Sequence, residues 1–196
     1  MITQIAGSED ALKYSRESLF DLERMDDDTY RIAMQGALPF GWERHLTLGL
    51  SIMNINILWG SAKRLTRSQW QGELIVEPLY GHVDMVNLDI NEVLKRGRSM
   101  CKREKFVPSL TNFELRDCMK DNGTLYASVK GEDTLGFLAG LFTKFDSCML
   151  FPVKLDIGTS GGMINDEFHL IGAAGMKVSE TMKKSAEEAL TSLLKK

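Results

Sequence analysis

Histidine, cysteine and proline are scarce in this chain: three, three and four among 196 residues. Cys101, Cys118 and Cys148 form no Cys-x-x-Cys pair, and their odd number points to free thiols in a reducing compartment, cytoplasmic by default. His45, His82 and His169 stand far apart in the sequence from one another and from the cysteines, so spacing offers no zinc ligand set. No metal or other cofactor is expected. No apolar run approaches the ~18 residues of a membrane span, and Met1 to Arg16 shows no charged-then-apolar leader. Charge of one sign is not in excess either. A formal net charge of −3 gives no general attraction to nucleic acid or to an anionic membrane. A Gly-Lys-Ser/Thr phosphate loop and a nucleophile–base pair are also missing, and the acids spread along helical faces, so no enzyme activity is expected.

What is present is ordinary globular material, 43% hydrophobic and 26% charged. A chain of this length suits one large or two small domains and hides ~70% of the surface its unfolded form exposes. The pattern describes one unit twice. Tyr30 to Gly36 alternates apolar and polar, as does Leu125 to Gly131, and period-2 alternation argues a strand with one buried face. Gly41 and Gly136 follow, 95 positions apart. After each comes a helical stripe: Trp42, Leu46 and Leu50 in the first copy, Phe137, Leu141 and Phe145 in the second. Strands are then expected over Asn54–Thr66 and Met149–Thr159, returning over Trp70–Val76 and Ile164–Ile171. Helices follow around Asn91–Gly97 and Val178–Leu194, the latter with Ser179 as N-cap and Met182, Ala186, Ala189, Leu190 and Leu193 on one side. Asn112–Met119 supplies a further strand after the first copy. The order is the βαββαβ of ferredoxin-like α+β units, with antiparallel sheets and helices on one face.

Three stretches carry a family resemblance: Gly131–Phe142 (GEDTLGFLAGLF), Ile157–Leu170 (IGTSGGMINDEFHL) and the C-terminal helix. They resemble the ACT domains that end PII uridylyltransferases and the plant ACT-repeat proteins, and more distantly the repressor accessory protein of the glycine cleavage system. Asp133-Thr134-Leu135-Gly136 keeps the acid and glycine of that family's first strand–helix turn, and Asp166-Glu167-Phe168 its Asp-x-Phe. Asn54-Ile55-Asn56-Ile57 is similar to its Gly-x-Asn-Ile in the first copy, where Leu38 replaces the acid. The resemblance implies two ACT-like units, 29–120 and 121–196, behind an N-terminal helical extension, 1–28. The nucleotidyltransferase and phosphohydrolase portions of the uridylylating enzymes have no counterpart in it.

What it further implies is a non-catalytic regulatory protein that binds a free amino acid, glutamine first, at an interface between units and signals to a protein partner. In the family the ligand lies between the strand–helix turn of one unit and the start of the second strand of a neighbour. The residues so implicated are Pro39, Gly41, Trp42, Asn54 and Asn56, and Asp133, Gly136, Phe137, Met149 and Leu150. The chemistry fits. A helix N-terminus favours a carboxylate, glycine lets the backbone approach it, an aspartate receives an ammonium, and asparagine amides match a polar side chain. Each residue also has a plainer reading. The glycines serve a turn, Trp42 and Phe137 the core, Asn54 a left-handed position, and Asp133 a helix cap. The alternative function is accordingly an interaction module without a small ligand, forming a homodimer through sheet edges or helices.

Two segments remain. Lys95–Lys105 has six positive residues against Glu104 and no aromatic to stack a base, so it reads as a solvated linker and not as a nucleic-acid site. Ser8–Met25 is helix-like, with Leu12, Leu19, Phe20 and Leu22 available to cover a sheet face.

Overall fold

A computed structural model describes residues 19–25, 28–80, 83–100, 106–118 and 123–195. The elements in chain order are β1 (Leu19–Arg24), β2 (Tyr30–Ala37), α1 (Trp42–Ile52), β3 (Ile55–Arg64), β4 (Gln69–Pro78), α2 (Ile90–Met100), β5 (Leu110–Cys118), β6 (Thr124–Glu132), α3 (Phe137–Ser147), β7 (Leu150–Ser160), β8 (Met163–Gly172) and α4 (Glu180–Thr191). The eight strands make one antiparallel sheet in the order β1-β2-β4-β3-β7-β8-β6-β5. Both expected repeats are there as ferredoxin-like halves, β2-α1-β3-β4-α2 and β6-α3-β7-β8-α4.

The halves meet at β3 and β7, where Ser61 stands opposite Asp156. These two residues are 95 positions apart, which is the repeat offset itself, and Ser61 Oγ donates to Asp156 Oδ1 at 2.8 Å. A local twofold axis therefore passes through this pair. Each central strand also bulges at the same repeat position, between Ile57 and Trp59 in β3 and between Pro152 and Lys154 in β7. A bulge bends the strand and accommodates a proline that cannot donate to the ladder, so the first residues of both strands are turned out of the flat sheet.

The alternation read from the sequence sets the buried face. Ile32, Met34, Leu125 and Val129 point into a core shared with Leu46 and Leu50 of α1 and with Leu141, Phe142 and Phe145 of α3. Phe142 and Phe145 each meet Phe168 edge-on at 5.6 Å between centroids. Each such buried ring contributes ~1.5–3 kcal/mol. Helix α1 packs on α2 and α3, and α3 on α4, on that face. Ser179 caps α4 as expected, accepting from the Met182 N–H at 3.2 Å, and Ala186, Leu190 and Leu193 are buried beneath it. The opposite face is polar, with Arg31, Lys63, Glu73 and Lys154 around a shallow depression.

Three expectations change. Within the helix expected over Ser8–Met25, Leu19–Arg24 is a strand paired with β2, while residues 1–18 lie outside the described residues. Phe20 and Leu22 pack on the core at strand spacing, and pairing with an already formed neighbour decides a short apolar run that fits either period. Strand β5, expected to close the first unit, instead pairs with β6 and forms the edge of the second half. The fourth strand place of each half is thus filled from its N-terminal side. In the basic segment, Lys95 to Met100 is the end of α2, not linker, and 101–105 lie outside the described residues.

Gly41 and Gly136 are the N-caps of α1 and α3, both left-handed at φ 75° and 83°. A Cβ on Gly136 would lie 2.1 Å from the Phe106 ring, whereas one on Gly41 would meet nothing within 4 Å. Gly41→Ala should therefore cost only the left-handed strain, about 1–2 kcal/mol, and Gly136→Ala should cost that plus the displacement of Phe106, about 1–3 kcal/mol more. Urea unfolding of the two variants gives the comparison, and equal losses would contradict the packing difference.

Candidate functional site

The twofold arrangement sets the strand–helix turn of each half against the start of the central strand of the other. Two seams result, and they have diverged. In the first, Asp133 and Gly136 of the second half face Asn56 of the first, and Asn56 Nδ2 donates to Asp133 Oδ2 at 3.2 Å. This hydrogen bond closes the seam to a cavity of about 20 Å³. In the second, Leu38 to Glu43 of the first half face Phe151 and Pro152 of the second, with Arg64 to Ser68 along the side, around a space of about 980 Å³. Repeat positions explain the contrast. Phe151 stands where the first half has Asn56, and Leu38 where the second has Asp133. A hydrogen-bonded bridge is replaced by a ring contact, Phe40 on Phe151 at 4.0 Å.

Magnitude separates the two. A small-molecule pocket is typically ~300–1,000 Å³, while ~10–15 Å³ holds about one water. The open seam has room for a metabolite and the closed one for a single water-sized group.

The open seam is walled by Trp42 and Trp70, which meet edge-on at 5.3 Å, together with Phe40 and Phe151. Its polar lining includes donors beside the hydroxyls of Thr66 and Ser68. Trp42 Nε1 is buried without a hydrogen-bond partner, and Arg64 and Arg67 line the space. Glu43, only 3% exposed, adds a further donor. Burial pushes its pKa up to about 8, with Asp146 adding to the rise and its own backbone N–H and Arg44 opposing it. Near neutral pH the side chain is mostly a carboxylic acid. Arg44 itself pairs with Asp146 of α3 at 2.5 Å, tying the two helices across the axis.

The ten residues implicated at the outset fall into three groups. Pro39, Gly41 and Trp42 line the open seam. Asn56, Asp133, Gly136 and Phe137 line the closed one, and Asn56 meets the turn of the other half and not that of its own. Asn54, Met149 and Leu150 line neither. Asn54 and Met149 occupy the equivalent left-handed links between helix and strand, at φ 57° and 59°, and Leu150 is wholly buried. Trp59, at 43% exposure, stands away from both seams.

The sequence reading passed over Glu43, Arg64, Arg67 and Phe151, and took Asp166 as a motif match without making it a site residue. For Asp166 the signal was there: alternation with Ile164 and Phe168 places this acid on the core face. It also passed over the approach of Cys118 Sγ to His169 Nδ1, 3.9 Å, which pairing of distant strands brings about. Among the described residues no three His, Cys, Asp or Glu side chains converge to hold a metal.

No family model matches the chain, and no curated protein matches it. Among solved structures it is similar to aspartate kinase from Synechocystis, at 15% identity and a TM-score of 0.44, over 85% of this chain and 26% of that one. The chain thus spans about a quarter of the length of that enzyme. Among the described residues no helix is long and apolar enough to cross a membrane.

The buried acids give stability a pH dependence of definite sign. Glu43 in the folded state keeps a proton up to about pH 8 that it releases near 4.5 when exposed, so its contribution is full at low pH and lost as pH rises through 8. Asp166 acts in the same direction, with its pKa raised to about 7. His45, held down to about 4 chiefly by burial, stays neutral above its ordinary range and adds no slope there. Between about pH 6.5 and 8.5 the unfolding free energy should fall by on the order of 2–3 kcal/mol. Glu43→Gln should flatten that fall in urea titrations; an unchanged slope would contradict the burial of an acid at this position.

Proposed function

We propose that this protein is a non-catalytic, ACT-like regulatory protein whose small ligand occupies the open seam and whose occupancy is read by a protein partner. The observation that carries the reading is the lining of that seam: aromatic walls, a buried unpartnered Trp42 Nε1 and two arginines around about 980 Å³. Such a set suits a molecule with an apolar body and a carboxylate. A free amino acid with an aromatic or branched side chain is the first choice, with its 2-oxo acid beside it. Glutamine loses its motive, because neither Asn54 nor Asn56 lines this space and Leu38 replaces the acid that would receive an ammonium. The outer edges of β1 and β5 are the natural route for a second copy in a homodimer.

Calorimetry against the twenty amino acids and their 2-oxo acids tests the proposal. Binding in the micromolar to millimolar range is expected for one apolar member, with a change in tryptophan emission from Trp42 and Trp70. The charge-assisted bonds of an arginine are worth ~1.5–3 kcal/mol, so Arg64→Gln with Arg67→Gln should weaken binding about tenfold or more. No heat from any member of the panel would remove the sensor reading and leave the interaction module in its place.

A further inference from the structure

The open seam has a mouth that the described residues leave uncovered. Phe40 is 58% exposed and Leu65 51%, although both line the seam beside the buried Trp42 and Trp70. Arg64 and Arg67 flank Leu65 on the same hairpin, and among the described residues neither guanidinium has a hydrogen-bond or ion-pair partner. A lone exposed apolar side chain is ordinary. An aromatic ring and a leucine rimmed by two unpaired cations, around one concave space of about 980 Å³, form the kind of surface that another segment covers.

The sheet brings one such segment close. Strand β1 begins at the same end of the sheet as this seam, with Leu19 opposite Gln35 of β2, and the seam lining starts just past the end of that strand at Leu38. The Leu38 N–H donates to the Ser68 carbonyl at 3.2 Å, so the hairpin of Arg64 to Ser68 sits beside the same strand end. Residues 1–18 precede Leu19 and so enter the sheet at this place. Reach is ample. Phe151, on the far wall, belongs to β7, four strand spacings or ~19 Å from β1. The stretch from Glu9 to Ser18 spans up to ~33 Å when extended. Its chemistry matches the mouth as well. Glu9, Asp10 and Glu17 supply carboxylates, against Lys13 and Arg16, and Leu12 and Tyr14 supply apolar bodies between them.

We propose that residues 1–18 lie as a strap across the mouth of the open seam of their own chain, Leu12 and Tyr14 against Phe40 and Leu65, and the acids toward Arg64 and Arg67. Little intrinsic affinity is needed. A short tether gives an effective concentration of about a millimolar, so contacts worth ~0.1 mM as a free peptide keep the strap seated about nine-tenths of the time. The strap requires only the mouth and no metabolite, so it and the ligand reading can fail separately. Where both hold, a carboxylate ligand and the strap compete for the two arginines.

Trypsin reads the seat, because Lys13 and Arg16 lie within the segment. Initial cleavage rates after these residues are measured by mass spectrometry in the full chain and in a synthetic peptide of residues 1–22. Under mild digestion the rate follows the population of the open form. Cleavage is expected to be about tenfold slower in the full chain than in the peptide, at every protein concentration. It should return to within about twofold of the peptide in Arg64→Gln with Arg67→Gln, and in Phe40→Ser with Leu65→Ser. Leu12→Ser with Tyr14→Ser, compared with a peptide carrying the same changes, should do likewise without touching the described fold. Equal rates in chain and peptide, or protection that survives these substitutions, would overturn the proposal. Protection that grows with protein concentration would overturn it too, by giving the mouth to a second copy of the chain.

Discussion

The antiparallel pairing of β3 with β7 is the constraint on which the rest of this molecule depends. It could form in many registers, but the one observed places Ser61 against its own repeat equivalent, Asp156. That register makes a twofold axis, and the axis makes the halves exchange neighbours. A slip of one residue would turn every inward side chain of one strand outward, so the burial of Ala62, Leu155 and Ile157 holds the register firmly. Once it is fixed, the turn after β2 must face the start of β7, and the turn after β6 the start of β3. Neither seam has to be specified separately.

Symmetry in the backbone has allowed the chemistry of the two seams to part. The helix N-caps match in glycine and in φ, and the bulges match in position, so the frame is common to both. Four side chains make the difference: Asp133 and Asn56 on one side, Leu38 and Phe151 on the other. One pair forms a polar bridge and leaves a space about the size of a water. The other stands in an aromatic wall beside Arg64 and Arg67. Both seams keep an acid whose pKa burial has raised, Glu43 to about 8 and Asp166 to about 7.

Much of the frame was legible because it rests on periodicity. The alternation of Tyr30–Gly36 and Leu125–Gly131, the helical stripes after Gly41 and Gly136, and the Ser179 cap are local signals, and the repeat doubled each of them. The edge strand β1 was not legible, because Leu19, Phe20 and Leu22 satisfy a helix as well as a strand and only the partner β2 decides. The pairing of β5 with β6 was hidden for the same reason, since strand choice is not local. At the site, the residue types were readable and the sets were not. Asn56 and Asp133 were both singled out, but their meeting depends on the β3–β7 register, which no local pattern encodes.

Helix α1 touches both seams, as do the paired strands β3 and β7. Its first turn, with Trp42 and Glu43, lines the open seam, and Thr47 and Ser51 line the closed one. Eleven residues make a rod of about 16 Å, short and internally bonded, so its two ends move together. Arg44, on the same rod, is held to Asp146 of α3, and the first turn of α3 lines the closed seam through Phe137 and Leu138. A ligand that displaced Trp42 or Glu43 would therefore press on Thr47 and Ser51 at the closed seam, whereas α3 reaches the open seam with none of its residues. Of the two symmetry-related helices only α1 reaches both seams, so the twofold symmetry of the backbone does not extend to the helical layer between them.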